Sequence, residues 1–449
     1  TLHEIALVEA ASCMERGDLI AAIRNAREAR ALEGYERSNS ALATWHQLHL
    51  KLPRTGLKAA WEESAIKTGD LPGALCITHD GLYALSGGSG KLRLWDLESS
   101  DCRREFKGHE AKVSAISLSQ KGKYALSGSG DRTLRLWDVA TGRCIRVFQD
   151  DSEVRCAALT YDAAYAVSAS GAKLKQWDVA TGRCLRELSG HAGSVASVSL
   201  SLDGRYAISA GDDATLRLWV LSTGQCMRTF RGHMEEVNFV SLLPDARHAL
   251  SGSGSMLGGE LKLWEVETGN CLRTFQGHND PVSSISLSLD GRYALVSGGS
   301  DSVMKLWDVF NGVCLQFFSG RTAAVACLSL DALHAVSSDL DGEIKRWTLD
   351  WDLEERRYTE WDDGALPFLE IFLAQRTPYA GTLPAQRTPS QGEIWKALTR
   401  KGKPSWTEDD FNGLLHTLGC AGYGWLTRDG VHRKLKEMAS RWTHPRPLL

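Results

Sequence analysis

Between residues 57 and 351 apolar and polar positions alternate in short runs broken by glycine- and aspartate-containing turns, the pattern of half-buried strands. One stretch shows the whole unit. Val113 to Leu118 alternates as a strand, Lys121-Gly122 turns, Tyr124 to Ser127 is a second strand and Asp131-Arg132 turns again. Leu134 to Trp137 is a third strand, and Thr141-Gly142 leads into a fourth at Cys144 to Phe148. The unit recurs down the chain, marked by Trp95, Trp137, Trp177, Trp219, Trp264, Trp307 and Trp347 at intervals of 42, 40, 42, 45, 43 and 40 residues. A repeat of this length with four strand signals predicts stacked four-stranded sheets closed into one ring, not a helical array.

Outside this region the period changes to that of helices. From Leu2 to about Leu50, Ile5, Leu7, Val8, Ala11 and Met14 form one apolar stripe, and Leu19, Ala22, Ile23, Ala26 and Ala29 another, with Gly17-Asp18 as the turn. After Trp351 helices are expected at 364–373, 393–399, 408–418 and 431–441; Thr407 with Asp410 marks a helix start and Gly419 a stop. Arg376-Thr377-Pro378 and Arg387-Thr388-Pro389 bound a Pro- and Gly-containing segment that reads as a linker.

Trp-Asp stands at Trp95-Asp96, Trp137-Asp138, Trp177-Asp178 and Trp307-Asp308, and becomes Trp219-Val220, Trp264-Glu265 and Trp347-Thr348 elsewhere. Gly-His precedes the units at Gly108-His109, Gly190-His191, Gly232-His233 and Gly277-His278; the third unit has Asp150-Asp151, the seventh Gly320-Arg321, and the first no such pair. On these residues the chain resembles the WD40-repeat β-propeller family. The resemblance implies an all-β, seven-bladed propeller with small flanking α-helical regions. It also implies a buried hydrogen-bonded set of His, Ser, Asp and Trp in each well-formed blade. Complete sets stand at His109, Ser127, Asp131 and Trp137; at His191, Ser209, Asp213 and Trp219; and at His278, Ser297, Asp301 and Trp307, while blades one, three, five and seven each lack a member. The role implied for them is structural. The small residues Ala10, Ala22 and Ala29 around Gly17-Asp18 resemble one tetratricopeptide hairpin, and the tail is similar to those of bacterial multidomain WD-repeat proteins.

These readings divide the chain into a helical hairpin at 1–54, the ring at 55–352 and a small helical domain at 353–449. A closed ring has a seam, and the seventh unit has no fourth strand of its own after Trp347. Thr55 to Glu62 begins with the same Thr-Gly as that strand, so residues 57–64 are expected to supply it.

A net charge of -3 from 52 basic and 55 acidic residues gives no bias toward nucleic acid or an anionic membrane. No apolar run approaches a membrane span, and a cytoplasmic, monomeric protein is expected. Six of the eleven cysteines, Cys102, Cys144, Cys184, Cys226, Cys271 and Cys314, share one slot of successive repeats, too far apart to bridge; they are read as reduced, packed thiols.

No catalytic signature appears. Ser86 to Lys91 lacks the spacing and final Ser or Thr of a phosphate loop, and Asp339-Leu340-Asp341-Gly342 does not continue as a calcium loop. No enzyme, metal or cofactor is expected. Binding then falls to the loops of the face carrying the His and Asp turns, at Lys112, Ser114, Glu153, Arg155, Ser194, Glu236, Asn238 and Pro281, joined by Met256 and Leu257 in the lengthened turn of blade five. The expected role is a non-catalytic scaffold for a protein or peptide ligand. One alternative is the regulatory or substrate-recognition end of a larger enzyme, such as a bacterial serine/threonine protein kinase whose catalytic domain precedes Thr1, an expectation suggested by the absent initiator Met. Another is a nucleic-acid contact through Trp395, Trp406, Tyr423 and Trp425 interleaved with Lys396, Arg400, Lys401, Lys403, Arg433, Lys434 and Lys436.

Deleting residues 55–66 should lower the melting temperature sharply; an unchanged calorimetric transition would show that this segment closes nothing.

Overall fold

The computed structural model describes residues 2–443 other than 79–80, 120–121, 256–257, 277–280, 299–302, 319–321, 340 and 385–386. Its described strands form antiparallel sheets, five of four strands and one of seven. In the seven-stranded sheet one long strand, Cys102–Leu118, serves twice. Its first half pairs with Ser89–Asp96 as an outer strand, and its second half pairs with Tyr124–Ser129 as an inner one. That sheet is therefore two adjacent four-stranded blades sharing a strand. The innermost strands, from Ala74–Ile77 through Cys102–Leu118, Val154–Leu159, Val195–Leu200, Val237–Leu242 and Val282–Leu287 to Thr322–Leu328, neighbour one another in turn, and the last lies beside the first.

The strand Arg54–Lys67 is the fourth strand of the sheet containing Trp347, running antiparallel to Glu343–Leu353 from Arg54 opposite Leu353 to Lys67 opposite Glu343. Three register shifts bend it, which limits its use as a template by another chain.

Adjacent blades are joined by two recurring devices. On inner strands a serine hydroxyl bonds the backbone of the next blade: Leu159 N–H donates to Ser117 Oγ at 3.1 Å, Leu242 to Ser199 at 3.1 Å and Leu328 to Ser286 at 2.9 Å. On outer strands an arginine reaches the turn of the next blade, Arg104 to Thr141 O at 2.9 Å, Arg146 to Thr181 O at 3.1 Å and Arg228 to Thr268 O at 2.8 Å. Each of those side chains lies over the turn glycine, Gly142, Gly182 or Gly269, at positive φ, where a Cβ would collide with the arginine methylenes.

The repeat-slot thiols correct the sequence reading. All six are free, but Cys102, Cys144, Cys184, Cys226 and Cys271 are exposed and Cys314 is half-buried. They sit at a bulge of each outer strand, where the register against the tryptophan strand shifts, and face outward from the sheet edge. Each Sγ–H turns back to the carbonyl two residues on, as in Cys144 to Arg146 O at 3.5 Å.

The first fifty residues form three helices, α1 Leu2–Glu15, α2 Leu19–Ala31 and α3 Asn39–His49, where a two-helix hairpin was expected. The buried face of α1 is His3, Leu7, Ala10 and Cys13, whereas Leu2, Ile5 and Val8 are more than half exposed. Of the expected stripe only Leu7 is buried and Met14 half-buried, and the face turned to α2 is completed by the small residues Ala10 and Cys13. Helix α3 is capped by Ser38 and bound to the closing sheet by Trp45, whose indole N–H donates to Trp351 O at 3.0 Å. Beside it the Arg30 guanidinium, stacked on Trp45, forms a buried ion pair with Asp350.

The C-terminal region holds α4 Leu366–Arg376, α5 Gln391–Leu398, α6 Glu408–Cys420 and α7 Arg428–Ser440. Thr407 and Asp410 form the reciprocal capping box of α6. The helix does not stop at Gly419. Gly422, at φ +83, turns the chain, with its N–H on Gly419 O at 3.0 Å and the Tyr423 N–H on Leu418 O at 2.7 Å, which satisfies the last carbonyls. The expected linker is a docked strap. Tyr379 donates to Asp162 at 2.7 Å and bridges to Arg400, which is ion-paired with Asp162, and Arg183 donates to Arg387 O at 2.7 Å. No helix among the described residues is long and apolar enough to cross a membrane.

Arg54 is the point where all parts meet. Its buried guanidinium is ion-paired with Asp290 of blade six and donates to Asp331 O of blade seven and Cys420 O of α6. Arg54→Met should cost about 3–5 kcal/mol, because Asp290 is left largely desolvated without its partner. Urea unfolding of the whole chain measures this, and a loss below about 1 kcal/mol would show that the hub is incidental.

Candidate functional site

The two ends of the ring differ in what covers them. Loops between first and second strands and between third and fourth strands lie on one end, and both helical regions pack there: α3 through His49 on Asp331 O at 2.8 Å, α4 through Gln375 on Leu202 O at 2.8 Å, and the segment after α5 through Arg400 on Asp162. The opposite end carries the loops that enter each blade and the turns between second and third strands.

In blade two His109 Nδ1 lies 2.7 Å from Asp131 Oδ2 and its Nε2 2.7 Å from Ser127 Oγ, while the Trp137 indole N–H donates to Ser127 Oγ at 2.8 Å. The carboxylate fixes the tautomer. With Nδ1–H directed at Asp131, Nε2 accepts from the serine hydroxyl, which in turn accepts from the indole. Blade four repeats this with His191 to Asp213 at 3.0 Å, His191 to Ser209 at 2.7 Å and Trp219 to Ser209 at 2.9 Å. In blade six His278 and Asp301 lie outside the described residues. There Ser297 bonds Ser283 and Ser284, and the buried Trp307 N–H has no partner among the described residues.

Two blades use substitutes that the sequence reading missed. In blade five Glu260 takes the carboxylate position, 3.2 Å from His233 Nδ1, with His233 Nε2 2.6 Å from Ser251 Oγ and Trp264 donating to the same serine at 2.8 Å. Asp131 and Asp213 stand six residues before their tryptophans and Glu260 only four, so a longer side chain spans the extra distance. In blade three no histidine is present. Asp150 accepts from Ser168 and Ser170 at 2.8 and 2.9 Å, and the buried Lys175 ammonium lies 3.0 Å from it. Blades one and seven keep the indole–serine bond, Trp95 to Ser86 at 2.9 Å and Trp347 to Ser337 at 3.0 Å.

These groups are neutral-imidazole anchors. Burial pushes His109 and His191 below the usual histidine range, and burial with the Lys262 charge pushes His233 down to about 4. Burial alone would raise Asp131 and Asp213. Hydrogen bonds from the neighbouring threonine, the backbone and the histidine outweigh it and hold both at about 2.

Of the surface positions, Lys112, Glu153, Arg155 and Glu236 are exposed, and Ser114, Ser194, Asn238 and Pro281 are half-buried. Ser114 and Asn238 are already engaged, by Val154 O and Gly128 O and by Gly254 O respectively. Arg155 reaches across to Asp212 of blade four at 3.1 Å. Met256 and Leu257 lie outside the described residues. Met234, directly after His233, is 85% exposed, a position not singled out from sequence although an apolar residue after Gly-His signals it. The basic-aromatic set of the C-terminal region is divided: Trp395 is exposed, but Trp425 is core and Arg400 is buried in its ion pair.

The family model described as "WD domain, G-beta repeat" matches residues 100–138, 182–220, 224–265 and 269–308. The chain carries WD repeats. Among curated proteins, Autophagy-related protein 16 of Arabidopsis thaliana is 29% identical over 142 residues, covering 31% of this chain and 28% of that protein. Periodic tryptophan protein 2 homolog of Caenorhabditis elegans is 26% identical over 138 residues, 30% of this chain and 15% of that protein. The chain thus spans less than a third of the length of these relatives. WD repeats are an interaction architecture, and the sheets and flanking helices described above are those of a WD-repeat propeller.

Because the imidazoles are held neutral, their contribution to stability is complete above the unfolded histidine value near 6.5 and is lost as pH falls toward the folded values. His233→Asn should therefore flatten the fall in unfolding free energy between about pH 6.5 and 4. Denaturation midpoints across that range measure it, and a slope equal to the wild type would show that His233 titrates normally.

Proposed function

We propose that this chain is a non-catalytic scaffold that binds a protein or peptide through the end of the ring bearing the His and Asp turns. In this reading residues 55–352 are one seven-bladed WD-repeat ring closed by the strand Arg54–Lys67, with helical segments at 1–54 and 353–449. The observation that carries it is the asymmetry of the two ends: both helical regions pack on the loops of one, while Lys112, Glu153, Arg155, Glu236 and Met234 project from the other. Rigid sheets and buried anchors hold those loops in place, so a partner would bind a preorganised surface. Their mixed charge suits a partner of mixed charge and not a polyanion.

A second reading, the recognition end of a larger enzyme, draws on α1. Leu2, Ile5 and Val8 form an exposed apolar row, as on a helix that packs against a further helical pair.

The test is an affinity pull-down from cytosol with the intact chain and with a Lys112→Glu, Arg155→Glu, Glu236→Lys variant. A partner lost only from the variant, with its melt unchanged, is expected. A partner retained by both would move the site to the helical regions.

A further inference from the structure

On the covered end, two cavities of about 540 and 550 Å³ lie between the loops of blades four to six and helix α4. Both are lined by Pro244, Asp245, Pro367 and Ile371, so they are one continuous cleft. One wall is apolar: Pro367 and Ile371 of α4, with Phe368 beside Tyr423, face Pro244 and the 44% exposed Phe310. The other wall is acidic. Most of its guanidinium groups are neutralised within the cleft, Arg54 by Asp290, Arg292 by Asp308, Arg205 by Asp203 and Arg356 by Glu354. Asp245 is bonded to His248 at 2.7 Å, and Glu265 and Glu267 have no ion-pair partner among the described residues. Arg247 is exposed and carries no ion pair among the described residues, which still leaves carboxylates in excess.

We propose that this cleft is a second docking groove, on the end of the ring opposite the first, which takes an extended peptide segment bearing lysine or arginine beside proline or aliphatic residues. The apolar wall would hold the aliphatic side chains, and Asp245, Glu265 and Glu267 would face the cationic ones. A polyanion is repelled by the same wall. The groove exists only because α4 is docked on the ring, so a propeller without this C-terminal region would present an open face at that place.

The experiment uses the full chain and a fluorescein-labelled peptide of roughly ten residues with a Lys-Pro-Leu repeat, beside its Glu-Pro-Leu counterpart, read by anisotropy. Binding of the lysine peptide alone is expected, weakened about ten-fold by Glu265→Gln with Glu267→Lys and unchanged by Glu236→Lys on the other end. Glu267 is exposed, and a matching melt for the variant confirms its fold. Equal binding of the acidic peptide, equal affinity of the cleft variant, or no binding up to about 1 mM would each overturn the proposal.

Discussion

The pairing of Arg54–Lys67 with Glu343–Leu353 joins residues nearly three hundred positions apart, and the rest of the molecule is arranged around that closure. Without it the strand Glu343–Leu353 would be a long exposed edge, and the first and last inner strands would have no reason to stay adjacent. The closing strand also fixes both helical regions. Its first residue, Arg54, bonds blade six, blade seven and α6 at once, and α3 ends a few residues before it. One strand therefore sets the ring's seam and decides which end of the ring the helices cover.

Within the ring, cohesion is divided between two kinds of contact. Blades two to five are knitted internally by a buried set that runs from the indole through a serine to a carboxylate, directly or through a histidine, and neighbouring blades are joined by serines near the axis and arginines near the rim. The arginine contact requires a glycine at left-handed φ beneath it, so the Thr-Gly turn of one blade is matched to the Cys-x-Arg of the blade before it. This pairing explains why both motifs recur with the tryptophans. It also explains why the cysteine is not the packed group: the residue two positions later carries the contact.

The repeat was legible because tryptophan, turn glycine and alternating strands are local requirements, satisfied within some forty residues. What could not be read depends on distant partners. Ile5 and Leu7 are equally apolar, and only the position of α2 decides that Leu7 is buried and Ile5 exposed. The segment from Thr377 to Arg387 has the composition of a loop, and Tyr379 and Arg387 in it are held by Asp162 and Arg183, some two hundred residues earlier. Glu260 was overlooked for another reason: the hairpin of blade five is longer, with Ser255 opposite Gly258, so the carboxylate arrives from the strand and not from the turn.

The buried sets differ from blade to blade, with Glu260 in place of Asp in blade five and the Asp150–Lys175 pair in place of His in blade three. As anchors, the replacements are equivalent. In each the serine that holds the indole is satisfied, by His233 in blade five and by Asp150 in blade three, while Glu260 and the Lys175 ammonium pair with those groups from behind. The tolerance is for chemical identity and not for geometry: what is kept is the tie between an entering loop and the sheet beneath it.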